Sequence, residues 1–177
     1  MDDRVLVLGS GGVGSSLIQV AKLSGASVIA ADAFDDKLDL ARDLGADFTI
    51  NSKKQDIHSE IMNLTGNEGV DAAFETVSFK NTMEGAYESL RKGGRLIFLG
   101  YQPGVNFEAH PLTLVLGEKH VMGSRASSRQ DLEDAVALAS QGRLKLSVTR
   151  RFKLDQVNEA LQMLSRGEIR GRTVVEP

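Results

Sequence analysis

The sequence predicts an α/β fold, a doubly wound six-stranded parallel sheet with a C-terminal helical appendage. Three observations predict it. A short apolar run, Val5-Leu6-Val7-Leu8, passes straight into glycines at Gly9, Gly11 and Gly14. Strand-like runs alternate with helical-period segments as far as residue 127, and an acidic residue, Asp32, closes the second strand 18 residues beyond Gly14. Such alternation gives a parallel sheet covered on both faces by right-handed crossovers, with ligands beyond the carboxyl ends of its strands near the order reversal.

Each element follows from local pattern. The run Val5 to Leu8 reads as a strand buried on both faces, and Val13, Leu17, Ile18, Val20 and Ala21 then place apolar residues at helical spacing up to Ser24-Gly25. Val28 to Ala31 is the second strand, ending in Asp32. Lys37 to Leu44 is a short amphipathic helix stopped at Gly45, and Phe48-Thr49-Ile50 is the third strand. A helix from Ile57 to Leu64 ends at the turn signal Thr65-Gly66-Asn67, and Val70 to Phe74 is the fourth strand. A helix from about Asn81 to Leu90 leads through Gly93-Gly94 to the fifth strand, Arg95 to Leu99. Leu112 to Leu116 forms a helical turn, and His120 to Ser124 the sixth strand. The remainder holds a helix from about Gln130 to Gln141, a segment Leu146-Ser147-Val148, a helix from Asp155 to Ser165 and a final strand from Arg172 to Val175.

The glycines have the G-x-G-x-x-G spacing at a strand-to-helix junction, where the physics is specific. Gly9 permits the tight turn, Gly11 lets the backbone approach a pyrophosphate, and Gly14 lets the helix pack on the strand. The phosphates then meet free N–H groups and the positive end of the helix dipole. Alone this spacing is weak, because glycine-rich turns occur wherever backbones crowd. Asp32 strengthens it, since an acid at the tip of the second strand can accept from both adenosine ribose hydroxyls. The competing reading has Asp32 capping the next helix. Asp35 and Asp36 stand closer to that helix and leave Asp32 free for the ribose.

Composition sets bounds. With 41% hydrophobic and 25% charged residues, 177 residues suit a globular domain with a sizeable core. A net charge of -3 argues against a polyanion partner such as nucleic acid. There is no cysteine, hence no disulfide framework or thiolate metal site, and His58, His110 and His120 lack ligand spacing. With no signal-peptide or transmembrane stretch, the expectation is a cytoplasmic protein without a membrane partner.

The ordered set GSGGVGSSLIQVAKLSGASVIAAD, KLDLARDLGADFTIN, GVDAAFETV, LRKGGRLIFLG and FKLDQVNEALQMLSRGEIRGRTVVEP resembles the medium-chain, zinc-type alcohol dehydrogenase family over practically the whole chain. The first motif is shared by many dinucleotide folds; the set together with the C-terminal segment is specific. The resemblance implies a Rossmann domain over residues 1–127 that binds NAD. It implies that residues 128–177 are the segment which in the family returns to a catalytic domain. That N-terminal domain, with the zinc and its ligands, is expected to be absent from this chain.

By the same resemblance Gly9, Gly11, Gly12 and Gly14 match the pyrophosphate loop, and Val13 the residue that supports the nicotinamide. Asp32 matches the ribose ligand and Lys37 a basic residue near it, with a solvated helix face as the alternative for Lys37. Thr76 and Val77 match the adenosine side of the cleft, against simple strand-end packing. Leu99, Gly100 and Tyr101 match the loop passing the nicotinamide ribose, and Ser124 lies where backbone groups meet the carboxamide. Arg172 falls near an arginine that reaches the pyrophosphate in some relatives, although the local spacing is one residue longer here; an exposed arginine is the alternative.

The complete enzyme is thereby expected to transfer hydride between an alcohol or carbonyl substrate and the nicotinamide. The alternatives are a stand-alone nucleotide-binding module and the cofactor domain of a zinc-independent quinone or enoyl reductase. A methyltransferase is disfavoured by the full glycine spacing and the sixth strand. Relatives pair their sixth strand across a two-fold axis, so a homodimer through residues 120–124 is expected, in competition with association through Val136, Leu138, Val157, Leu161 and Leu164.

Overall fold

A strand whose residues are apolar on both faces can be buried only between two layers, and that is where the first strand lies. The computed structural model describes residues 3–177. In chain order it forms β1 (Arg4–Leu8), α1 (Gly12–Leu23), β2 (Ser27–Asp32), α2 (Asp35–Asp43), β3 (Phe48–Asn51), α3 (Ile57–Leu64), β4 (Val70–Glu75) and α4 (Lys80–Glu88). There follow β5 (Leu90–Phe98), α5 (Pro111–Gly117), β6 (His120–Gly123), α6 (Arg129–Ser140), β7 (Val148–Lys153), α7 (Val157–Ser165) and β8 (Arg172–Glu176). The first six strands make one sheet of order β3-β2-β1-β4-β5-β6 with every pairing parallel. The order reverses between β1 and β4, so the crossovers leaving these two strands part to opposite faces and open a crevice at the carboxyl ends.

Alternation along β1 divides the core. Val5 and Val7 join Ile18 of α1 and Ala41 of α2 on one face, and Leu6 and Leu8 join Ile61 of α3 and Tyr87 of α4 on the other. Full burial of a Leu or Ile contributes about 1.5–3 kcal/mol, so Leu6, Leu8, Ile18 and Ile61, each at 1% exposure or less, anchor both layers.

The face of α1 differs from the one its apolar spacing predicts. The helix buries Gly14, Ser15, Ile18 and Gln19, whereas Val13 and Val20 are 43% and 44% exposed. Close approach at Gly14 turns the helix so that this row meets the sheet. Gln19 is tolerated inside because its amide is satisfied: Nε2 donates to the Lys145 carbonyl at 3.1 Å and Oε1 accepts from the Lys145 N–H at 2.7 Å.

Two other boundaries moved. α4 stops at Glu88, and Leu90 already pairs with Val70, after which a bulge through Gly93-Gly94 resets the register so that Arg95 faces Ala72. In the C-terminal segment β7 pairs in parallel with β8 through a 3-10 turn, Leu154–Gln156, and α7, making a second two-stranded sheet. The segment Leu146 to Val148 did not disclose this strand, because Thr149-Arg150-Arg151 carries no apolar alternation and only Phe152 of β7 is buried. Among the described residues no helix is long and apolar enough to cross a membrane.

Asp71 ties the start of β1 to the β5 bulge. Its carboxylate accepts from the Arg4 N–H at 2.7 Å and from Arg91 Nε. Burial by itself raises this carboxyl, but the Arg4 N–H and the Arg91 guanidinium outweigh it and hold it below the usual carboxylate value. A depressed folded-state pKa contributes stability above the unfolded pKa and loses it as pH falls through the folded one. Asp71→Asn should therefore cost about 1.5–3 kcal/mol at neutral pH, with the difference from the parent chain shrinking in acid. Urea midpoints measured from pH 7 downward check this; a constant gap at all pH values would contradict it.

Candidate functional site

The glycine turn between β1 and α1 is built from backbone requirements. Gly9 has φ +88°, a left-handed conformation that L side chains rarely adopt, and its N–H donates to the Ala31 carbonyl at 2.8 Å. A Cβ on Gly14 would overlap the Gly9 carbonyl oxygen, so the helix can pass this close only without a side chain. At Gly11, by contrast, an added Cβ would meet nothing within 4 Å. The space above Gly11 is left open, as a group lying against the backbone requires. Gly11 is also the N-cap of α1, no side chain caps the helix, and no acidic residue stands in its first turn. The leading N–H groups and the positive end of the dipole of this 12-residue helix are thus available to an anion.

Asp32 fastens this turn to the tip of β2. Its Oδ2 accepts from the Ser10 N–H at 2.7 Å and its Oδ1 from the Phe34 N–H at 3.1 Å. The first-turn N–H groups of α2 are not its partners; Phe34 is the N-cap and makes no side-chain cap. The neighbouring Asp35 turns instead toward Lys54 and Asn51, whose hydrogen bonds lower its carboxyl pKa.

At the end of β4 a wholly buried carboxylate, Glu75, has no cationic partner among the described residues. Hydrogen bonds satisfy it: it accepts from the Val77 N–H at 3.1 Å, the Ser78 N–H at 2.8 Å and the Thr82 hydroxyl at 2.9 Å. These bonds hold Ser78 at φ +66° and shape the turn that carries Thr76 and Val77. The Thr76 hydroxyl donates to the Leu8 carbonyl at 2.7 Å, closing the turn against β1.

Gly9, Gly11, Asp32, Lys37, Thr76 and Val77 line one cleft of about 500 Å³ at the carboxyl ends of the strands. The other predicted positions lie outside its lining. Gly12 and Arg172 are in mutual contact, an added Cβ on Gly12 falling 2.5 Å from Arg172 Nε, which puts the β8 arginine against the glycine turn. Gly14 is buried under the turn, and Val13 stands exposed on the first helical turn. The N–H groups of Leu99 and Gly100 both donate to the Glu75 carbonyl, at 2.9 and 3.2 Å, so this loop adjoins Thr76. Tyr101 is 88% exposed. The Ser124 N–H extends the β6 pairing by donating to the Phe98 carbonyl at 2.8 Å.

Sequence reasoning missed Phe34, Ser52, Lys53, Phe79, Asn81 and Thr82 in the lining, and passed over Glu75 as a strand end. The signal available for Ser52 and Lys53 was topological: β3 lies beside β2, so residues just past Ile50 must border the cleft. A second cavity, of about 580 Å³, runs along the α1 face of the sheet, with Leu17 and Val20 of α1 and Val5, Phe74, Ile97 and Met122 of the strands in its lining. It contains no residue of the glycine turn and not Asp32, and it lies against a sheet face rather than in the crevice beyond the carboxyl ends where such sheets bind ligands.

A family model described as zinc-binding dehydrogenase matches residues 12–141, more than half of the chain. The chain belongs to the zinc-binding dehydrogenase family. An alcohol dehydrogenase of Geobacillus stearothermophilus is 34% identical over 172 residues, covering 97% of this chain and 50% of the relative. An NAD-dependent alcohol dehydrogenase of Sulfurisphaera tokodaii is 33% identical over 174 residues, with 98% and 50% covered. Among solved structures, the alcohol dehydrogenase of Aeropyrum pernix superposes with a TM-score of 0.91 at 33% identity, over 99% of this chain and 50% of that one. The chain thus spans about half the length of the dehydrogenases it matches. Among the described residues no group of three or more His, Cys, Asp or Glu side chains is placed to hold a metal ion, so the zinc implied by the family name has no ligand set in these residues.

Proposed function

We propose that this zinc-binding dehydrogenase chain is an NAD(H)-binding unit whose complete enzyme transfers hydride between an alcohol or carbonyl substrate and the nicotinamide. The observation that carries the reading is the convergence of Asp32, the open space at Gly11 and the uncapped N-terminus of α1 on one cleft. A pyrophosphate fits over Gly11, and the ribose hydroxyls fit against Asp32. Val13, Leu99, Gly100, Tyr101 and Ser124 are proposed to flank the nicotinamide half, and Arg172 to face the pyrophosphate. Bound nicotinamide would supply the hydride chemistry; the residues of this chain bind and orient it. Residues 1–127 form the cofactor domain in this reading, and residues 128–177 belong with the catalytic part.

Calorimetric titration tests it: NAD and NADH should bind saturably, and S-adenosylmethionine should not. The 177-residue chain alone should bind without oxidising alcohols. Zinc-dependent NADH formation by the purified chain would overturn that second half, and absence of dinucleotide binding the first.

The sixth strand carries the proposed homodimer. β6 is an edge strand, exposed along its length, and pairs on one side only with β5, so its outer N–H and C=O groups can pair with a second copy across a two-fold axis. Light scattering should give a dimer. A monomer at high protein concentration, or a dimer that survives proline substitution at Val121, would defeat this assignment.

A further inference from the structure

We propose that Lys53 sets how far the cleft discriminates between dinucleotides with and without a 2′-phosphate, by bringing a second ammonium group to the adenosine end beside Lys37. The inference rests on the dinucleotide reading above.

The turn after β3 is held rigidly. Asn51 Nδ2 donates to Asp35 Oδ1 at 2.6 Å, Lys54 Nζ donates to Asp35 Oδ2 at 2.6 Å, and Asn51 Oδ1 accepts from the Lys53 N–H at 3.0 Å. The Ser52 N–H donates to the Asp32 carbonyl at 3.0 Å, tying the same turn to the residue proposed to hold the ribose. Consecutive lysines are thereby sent in different directions. Lys54 is spent on Asp35, whereas Lys53 lies over the Phe34 ring, 4.1 Å from its centroid, and lines the cleft.

Lys37 reaches the same ring from α2, at 4.7 Å. Neither Lys37 nor Lys53 has a carboxylate partner among the ion pairs of the described residues. The aromatic face positions the two ammonium groups without neutralising them. One fixed carboxylate, Asp32, and two uncompensated cations therefore share the adenosine end of the cleft. A 2′-phosphate placed there is repelled by Asp32 and attracted by both lysines, so its penalty is smaller than Asp32 alone would impose. The absence of arginine at Ala33 and Phe34 points toward strict exclusion; the compensating charge comes instead from Lys37 of α2 and from Lys53 in the turn after β3, the strand beside β2.

Titration of the parent chain, Lys53→Ala and Lys53→Arg with NADH and with NADPH tests this. Lys53→Ala should raise the ratio of the NADPH to the NADH dissociation constant by about fivefold, and Lys53→Arg should keep the parent ratio because it restores the cation. An unchanged ratio in Lys53→Ala, or equal weakening of both cofactors, overturns the inference while leaving the dinucleotide reading intact. So does NADPH binding too weak to measure in the parent chain. Failure of the parent chain to bind either cofactor removes both.

Discussion

Gly14→Ala is expected to lower stability by about 3 kcal/mol or more and to abolish dinucleotide binding. The added Cβ would overlap the Gly9 carbonyl oxygen, which is backbone and has no rotamer to escape into. Either α1 retreats from β1, uncovering Ile18 and the Val5–Val7 face, or the turn loses the conformation that Gly9 holds at φ +88°. Gly11→Ala is the internal contrast. Its Cβ meets nothing within 4 Å and its φ is -71°, so its stability should stay within about 1 kcal/mol of the parent. Its NADH affinity should nevertheless fall, because the methyl takes the space proposed for the pyrophosphate. Urea midpoints and NADH titrations on the two variants separate the roles. A Gly14→Ala chain with the parent midpoint would contradict the close packing, and a Gly11→Ala chain with the parent affinity would move the pyrophosphate elsewhere.

Asp32→Ala should weaken NADH binding by roughly ten- to a hundredfold and narrow the gap to NADPH, since a charge-assisted hydrogen bond is worth about 1.5–3 kcal/mol. The ribose hydroxyls would lose the acceptor proposed for them, and a 2′-phosphate would no longer be repelled. Asp32 also holds the Ser10 and Phe34 N–H groups, so truncation disturbs the loop as well. Asp32→Asn keeps the size of the side chain and a carbonyl acceptor while removing the charge. It should therefore preserve more stability than Asp32→Ala and still improve NADPH relative to NADH. Equal weakening of both cofactors in both variants would make Asp32 a loop fastener and nothing more. The Lys53 substitutions bear on the same ratio with the opposite sign, so the two sites make a double-mutant cycle across the cleft.

Both expectations were legible in part from the chain itself. The G-x-G-x-x-G spacing, the second-strand acid and the strand–helix alternation are local properties: backbone angles at Gly9, period-2 burial along β1 and chain-length limits on each crossover are set by neighbours in sequence. They sufficed for the six-stranded parallel sheet and for Asp32 at the cleft. The buried face of α1 was less legible, because its apolar spacing includes Val13 and Val20, whose exposure follows from how closely Gly14 lets the helix sit. β7 was not legible, because a strand of cations and threonine is stabilised by its pairing with β8 and by one buried phenylalanine rather than by its own pattern.

Sequence alone determined the fold class, the glycine turn and the acid at the tip of the second strand that lines the cleft, since each depends on residues close in the chain. Tertiary structure alone decided which distant side chains share the cleft. It carried Lys53 in from the turn after β3 and brought two ammonium groups to the Phe34 ring. It laid Arg172 against Gly12 and buried Glu75 among the N–H and hydroxyl groups that replace a counter-ion. These contacts follow from the strand order and the packing of layers, which bring together groups that no local period or spacing relates.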